Sequence, residues 1–406
     1  MTATSSASTA TPTVAWLELI LLAAAQLMLI LDVTVVNVAL PDMVRDLSAP
    51  VTESGWPVVA YGVPFGGLLL LGGRLADAWG ARRVLILGLV LFLIGSLLAG
   101  FSTSMPALLA ARAGQGIGAA LLSPAALASI TLRFDGDSRR KALAVWAALG
   151  GAGSALGVIL GGLITVSIGW RWIFFINVPV GALVTALLPL IPAPPRPEAS
   201  NRRSFPLIPS QLLRRPGMRG GVFAMFIATG LIVGAFFLAS FALQSGLGWT
   251  SLSTGLAFLP VALATLAGAH LASHLLGHLG SRPVVAMAFV LAAGGFGTAM
   301  LSGLPLVLIV GLTAAAAGLG AGFVAASVTA LSTIPAEQAG SGSGLLSMAH
   351  ELGGAAAVGL LSVSAIAASP NWGFAALAAA AIGAAVLAIW LVPNARPPAD
   401  GRRFMH

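Results

Sequence analysis

Apolar residues fill this chain in long unbroken runs, and polar residues come in short bursts between them. A helix that crosses a hydrocarbon core of roughly 30 Å needs about 20 mostly apolar residues. Twelve runs meet that length, at about residues 14–40, 55–73, 82–101, 106–131, 142–166, 172–192, 219–244, 252–276, 283–302, 304–332, 341–367 and 372–392. One long polar stretch interrupts them, PAPPRPEASNRRSFPLIPSQLLRRPG from Pro192 to Gly217. It is too rich in proline and arginine to cross a membrane and divides the chain into two sets of six. The pattern predicts an all-α polytopic membrane protein of twelve transmembrane helices in two six-helix bundles, 14–192 and 218–392. A linker at 193–217 joins them, with terminal tails at 1–13 and 393–406.

Composition strengthens this picture. Of 406 residues, 58% are hydrophobic and 8% charged, against about a quarter charged in soluble domains. The 50 glycines sit inside apolar runs, where small residues let helix backbones approach closely. Cysteine is absent, which removes disulfides, thiolate metal sites and cysteine nucleophiles. Of the 20 lysines and arginines, all but Arg45, Arg112 and Arg171 fall in segments on one side of the predicted topology. Positive residues resist translocation, so this bias puts both termini in the cytoplasm of a cell with an inner, plasma membrane. The net charge of +8 is thus an orientation signal, and no nucleic-acid partner is expected. Met1 to Pro12 lacks the basic start and cleavage site of a secretory leader, so the first run is expected to remain in the mature protein.

The halves echo one another. Residues Gly73–Val84 (GRLADAWGARRV) follow the second run and Ser273–Val284 (SHLLGHLGSRPV) the eighth. Leu75, Gly80, Arg82 and Val84 match Leu275, Gly280, Arg282 and Val284 at an offset of 200. A shorter, alanine-rich echo pairs Ala113–Ala119 (AGQGIGA) with Ala315–Ala321 (AAAGLGA), which sets Arg112 opposite Ala314. Repeated halves around a central linker mark transporters whose bundles rock about a midplane site.

Four segments carry candidate chemistry. The loop after the second run reads Gly73-x-Leu75-x-Asp77-x-x-Gly80-x-Arg82-Arg83. Its glycines suit a tight turn, and Asp77 suits pairing with arginine or a helix N-terminus. Asp32 ends a run from Leu19 to Leu31 that is apolar except for Gln26, about 20 Å of helix. A carboxylate that deep in a bilayer costs about 2.5–3.5 kcal/mol and is a functional candidate by default. The competing reading is a structural acid bonded to neighbours such as Asn37. The fourth run holds Arg112-Ala113-Gly114-Gln115-Gly116, and Arg112 is the one lysine or arginine deep inside a predicted span, Arg82, Arg83 and Arg219 standing at span starts. The fifth carries Gly153, Gly157, Gly161 and Gly162, a smooth face against which a neighbouring helix can pack, slide or bend.

Together these segments resemble the major facilitator superfamily, and within it the drug:proton antiporters, over residues 14–392. Leu31–Pro41 (LDVTVVNVALP) and Gly169–Gly181 (GWRWIFFINVPVG) resemble the branch often described as having fourteen spans. The linker here leaves no room for two extra spans. Read from its residues, Gly169–Gly181 is an interfacial aromatic anchor with no direct chemical role. The resemblance implies a conformational latch at Gly73, Asp77, Gly80, Arg82 and Arg83. It also implies proton coupling at Asp32, with Arg112 setting how readily that acid ionises. Ala78 and Ala81 stand where the family usually has basic residues, and Val158 where its fifth-span proline is expected.

In the eleventh run, His350-Glu351 supplies a second intramembrane acid, a further candidate for proton or substrate binding. Gly354 stands where a zinc-protease motif needs histidine. Asn37, Gln115, Trp146 and Gln244 are candidate substrate-cavity groups, chosen as polar or aromatic residues inside spans. His270, His274 and His278 share one helix face; a polar stripe is favoured over a metal site, because no acidic or cysteine partners stand nearby. The expected function is a secondary active transporter exporting drug-like or amphipathic molecules by alternating access. Its energy source would be the proton gradient and its partners a small-molecule substrate, protons and lipid. No cofactor, metal or enzymatic activity is expected, and the resemblance implies a monomer. The alternatives are a symporter or facilitator for a dedicated metabolite, or, from another class, a membrane receptor or enzyme.

Overall fold

A computed structural model describes residues 12–193, 210–301, 303–332, 334–335 and 338–395, with the backbone alone at 12 and 364–368. Most of the predicted linker and both tails lie outside the described residues, with Arg196, Arg202, Arg203, Arg396, Arg402, Arg403 and His406.

Twelve helices among the described residues are long and apolar enough to cross a membrane. Spans 1–6 are Thr13–Asp46, Val51–Trp79, Ala81–Gly100, Met105–Arg133, Gly136–Ile168 and Trp172–Leu190. Spans 7–12 are Pro216–Gly246, Ser251–Leu279, Ser281–Met300, Pro305–Leu331, Ala339–Val363 and Pro370–Leu391. No strand occurs among the described residues, as expected where backbone groups have no water to bond. The chain is a multi-pass membrane protein.

The helices outrun the apolar segments at their ends. Span 1 continues through Pro41 to Asp46, because Met43 and Val44 on these last turns are buried. The segment read as a loop after span 2 is mostly helix: Gly73–Trp79 forms its last turns, and the break falls at Gly80 alone. Gly80 takes φ 93° and its repeat partner Gly280 takes φ 82°, a left-handed geometry that glycine adopts without strain.

The two six-helix bundles are built alike. Span 4 packs between spans 2 and 3 and span 1 against span 5; likewise span 10 packs between spans 8 and 9 and span 7 against span 11. The backbones nearly touch at these crossings. A Cβ on Gly95 would lie 2.8 Å from the Gln115 nitrogen, and one on Gly295 would lie 2.6 Å from the Ala315 nitrogen. Gly118 and Gly318 crowd the Gly88 and Ala288 carbonyls in the same way. The offset is therefore 200 through these crossings as well. The AGQGIGA echo is out of register by two, and Arg112 corresponds to Leu312 rather than Ala314. An alanine-rich run has too little relief to fix its own alignment.

The halves meet along two further pairs, span 2 with span 11 and span 5 with span 8. Gly55 abuts Ser362, Gly62 abuts Ala355, and Gly66 abuts Leu352. Gly162 abuts Ser251, and Gly255 faces the Val158 carbonyl. Hydrogen bonds tie the same end: Gln244 donates to the Val38 carbonyl at 2.8 Å, and Ser251 donates to Asp42. The bundles are thus sealed on the side where span 1 ends and span 2 begins, called here the far side. The opposite, linker side is where span 1 begins and span 6 ends.

The small residues at crossings make a direct prediction. A Cβ on Gly72 would sit 1.9 Å from the Ala120 carbonyl oxygen, whereas one on Gly114 meets nothing within 4 Å. Gly72→Ala is expected to cost about 1–3 kcal/mol by forcing spans 2 and 4 apart. Gly114→Ala, in the same bundle, should be neutral or slightly stabilising. Thermal unfolding of both variants in detergent measures the difference.

Candidate functional site

The carboxylate of Asp32 lies about halfway along span 1 and is buried. Four other spans supply the groups around it. Arg112 of span 4 donates through Nη1 to Asp32 Oδ2 and to Gln115 Oε1 at 2.9 Å. Its Nε donates to the Pro57 carbonyl of span 2 at 3.2 Å. Gln115 Nε2 donates to Asp32 Oδ1 at 3.1 Å and to Ser96 Oγ of span 3 at 3.1 Å. Asn177 of span 6 donates from Nδ2 to the same two acceptors, at 3.2 Å and 3.0 Å. Ser96 Oγ in turn donates to the Phe174 carbonyl at 3.0 Å.

Each side-chain partner of the carboxylate is an N–H donor, an arrangement complementary to its ionised form. The Arg112 guanidinium lies 4.3 Å from the centre of the Tyr61 ring and 5.7 Å from that of Phe174, so aromatic faces cover the cation where water is excluded. The second bundle builds the matching crossing from apolar residues: Phe296, Leu312 and Ala315 correspond to Ser96, Arg112 and Gln115. The cage is therefore not a requirement of the fold.

The sequence candidates divide on this geometry. Asp32, Arg112 and Gln115 come together. Asn37 does not join them; its amide donates to the Val33 carbonyl of its own helix at 2.9 Å. Trp146 packs at the edge of the first-bundle core, and Gln244 lies in a π-helical turn at the far-side seal. The four proposed cavity residues therefore do not form one site, because polarity inside a span says nothing about the direction it faces. Gly153, Gly157 and Gly161 pack against Ile30, Thr34 and Val35 of span 1, while Gly162 alone faces span 8.

The proposed latch residues also separate. Arg82 donates to the carbonyls of Ile191 and, at 3.0 Å, Pro192, tying the turn to the end of span 6. Arg282 repeats the contact with Val392 at 2.8 Å. Gly73 lies open beside Pro124, and Asp77 and Arg83 are exposed.

Three contributors escaped the sequence reading. Asn177 belongs to the segment read as an aromatic anchor, yet it completes the Asp32 cage. In that segment Trp170 is buried and donates from Nε1 to Asp46 at 3.1 Å, while Trp172 is exposed. Ser96 is a lone hydroxyl in an apolar run. Glu18, buried at the linker-side end of span 1, pairs with Arg133 and lies 3.9 Å from Arg82. The signal available for Glu18 was its charge at the margin of an apolar run.

In the second bundle, Glu351 is half-buried beside span 2. His350 is exposed between spans 7 and 10, its Nδ1 2.9 Å from Thr229 Oγ1 and its ring 5.8 Å from that of Phe323. His270 and His274 are exposed with their rings 5.4 Å apart. No group of three His, Cys, Asp or Glu placed to hold a metal occurs among the described residues.

Twelve helices in two repeated bundles, meeting beside a buried charged cage, define a secondary-transporter fold. The sequence profile of the Major Facilitator Superfamily matches residues 22–358, and the chain belongs to that family. It is 33% identical to a puromycin resistance protein of Streptomyces alboniger, over 86% of this chain and 81% of that one. It is 32% identical to a cephamycin export protein of Amycolatopsis lactamdurans, over 88% and 85%. Over 40% of this chain and 35% of the other, it is 46% identical to a methylenomycin A resistance protein of Bacillus subtilis. Among solved structures, an inward-facing, occupied bacterial homologue of the lysosomal transporter Spinster superposes with a TM-score of 0.73. That match covers 92% of this chain and 96% of that one at 19% identity.

The cage predicts non-additive mutations. Arg112→Met leaves the Asp32 charge buried without its cation, which should cost about 3–5 kcal/mol. The double variant Asp32→Asn/Arg112→Met should recover much of that loss, because both charges leave together. Unfolding of the single and double variants in detergent measures the coupling.

Proposed function

We propose that this transporter exports amphipathic, drug-like molecules across the plasma membrane by proton-coupled alternating access. The observation that carries the proposal is the charged cage of Asp32, Arg112, Gln115 and Asn177, built into one bundle of a fold whose other bundle does without it. A structural role alone gives no reason to keep an ion pair at the centre of a membrane bundle, because apolar packing of similar volume is as stable or more so. With both termini cytoplasmic, as the distribution of basic residues implies, the far-side seal closes the exterior face, and substrate reaches the chain from the linker side. That state suits collection of an internal substrate.

Export is favoured over uptake by the relatives, whose names are those of antibiotic resistance and export proteins. In this reading the cage is the fixed electrostatic element of the first bundle. Substrate enters between the bundles from the cytoplasm, and inward proton movement returns the carrier. No cofactor is needed, because the proton gradient supplies the work.

The test is a susceptibility panel of amphipathic antibiotics, puromycin included, in an efflux-deficient host expressing the chain. Expression should raise the inhibitory concentration of at least one compound. A protonophore should abolish the protection, and Asp32→Asn should remove most of it at equal membrane abundance. Protection that survives collapse of the proton gradient would exclude proton coupling. Accumulation of a panel compound in place of its exclusion would reverse the direction.

A further inference from the structure

We propose that Glu351, rather than Asp32, is the carboxylate that gains and loses a proton as the exterior side closes and opens. The proposal rests on the reading of the chain as a proton-coupled transporter, and it assigns the titrating group within it.

The two intramembrane acids are held in opposite ways. Asp32 accepts from Arg112, Gln115 and Asn177. Protonating it would strand a buried guanidinium and turn one donor away. Glu351 has no hydrogen-bond or ion-pair partner among the described residues. It sits halfway along span 11, where that helix presses on span 2. A Cβ on Gly66 would lie 3.0 Å from Glu351 Cβ, and one on Gly62 would lie 3.5 Å from the Glu351 carbonyl oxygen. Leu352 and Ala355 fill the same seam. The side chain is half-buried, so closing the seam over it removes water from a carboxylate with no partner and favours its neutral form, while opening the seam favours its charged form.

The charged and titratable groups around it are few. From span 2, Tyr61 lies within electrostatic reach of both Asp32 and Glu351, and its buried hydroxyl has no hydrogen-bond partner. Arg74 and Asp77 lie at the linker-side end of that span and Glu53 at its far-side start. On span 11 itself the neighbour is His350, which bonds Thr229. Span 7 offers only Arg219 at its linker-side start, and spans 10 and 12 carry no charged residue. None of these is a counter-ion in contact with Glu351.

The seam between spans 2 and 11 runs from Gly55 and Ser362 at the exterior seal, past Glu351, to Leu70 and Gly344 on the linker side, so the state of Glu351 bears on that seal. Taking a proton from outside makes the side chain neutral and lets span 11 settle on the glycines of span 2. Giving that proton to the cytoplasmic side leaves a charge in the seam, and separation of the spans rehydrates it.

The absence of cysteine allows a direct test. Spin labels at Val51→Cys and Val363→Cys, both exposed at the far-side ends of these two helices, report the seam by pulsed EPR in proteoliposomes. In the otherwise native protein the short distance should dominate at low pH. The long-to-short ratio should rise with pH by up to about tenfold per unit, the slope of one proton. Glu351→Gln should hold the short distance at every pH, Glu351→Asp should keep the response, and Asp32→Asn should leave it in place. A pH response that survives Glu351→Gln, or its loss in Asp32→Asn alone, would overturn the assignment, as would a seam indifferent to pH. Puromycin flux under a pH gradient in the same vesicles tests the transport reading separately. Absent flux with an intact, Glu351-dependent seam response would sink export and leave the titration assignment standing.

Discussion

A negative charge kept out of water must find its compensation inside the protein, and the first bundle is arranged around that requirement. Asp32 on span 1 is answered by side chains from spans 4 and 6, two of which are held by Ser96 of span 3, and Arg112 is in turn held by a carbonyl and a ring of span 2. The ion pair therefore fixes the relative depth of five helices. Lipid offers no hydrophobic force to gather helices, so specificity comes from small-residue contacts and buried polar bonds. The first bundle uses both; the second relies far more on the first of these, with Phe289, Phe296 and Phe374 filling its interior.

That contrast gives the pseudo-symmetry its meaning. Backbones match at an offset of 200 through the crossings of spans 3 and 4 with 9 and 10, while the side chains at matching points diverge from polar to apolar. Two bundles of one architecture thus carry different burdens. One holds a saturated charge, and the other presents an unsaturated acid at the seam between them. Moving a seam is easier to couple to a group that lies in it than to one locked in the middle of a rigid bundle.

The number and approximate position of the spans were legible because bilayer thickness sets the length of an apolar run. Their ends were not, since Pro41–Asp46 and Gly73–Trp79 are helical by packing and capping rather than by hydropathy. Asp32 and Arg112 stood out as charges in apolar surroundings, and Gln115 only as a polar residue inside a span. Asn177 and Ser96 did not, because an uncharged polar group costs too little in a membrane to announce itself, and its partners lie 145 and 19 residues away in sequence. Side-chain facing was the quantity missing for Trp146, Gln244 and Asn37, since no strong amphipathic stripe marks the lumen of such a bundle.

The bond between Arg82 and the end of span 6 joins residues 109 apart, and it needs nothing beyond Pro192. The first bundle can therefore be clasped shut while the ribosome is still translating the second. Its buried charges are neutralised before any partner bundle exists. When spans 7–12 emerge, their own clasp, Arg282 to Val392, waits until the last span is complete. The order of synthesis thus favours a finished, charge-bearing half that serves as the template for the more apolar one.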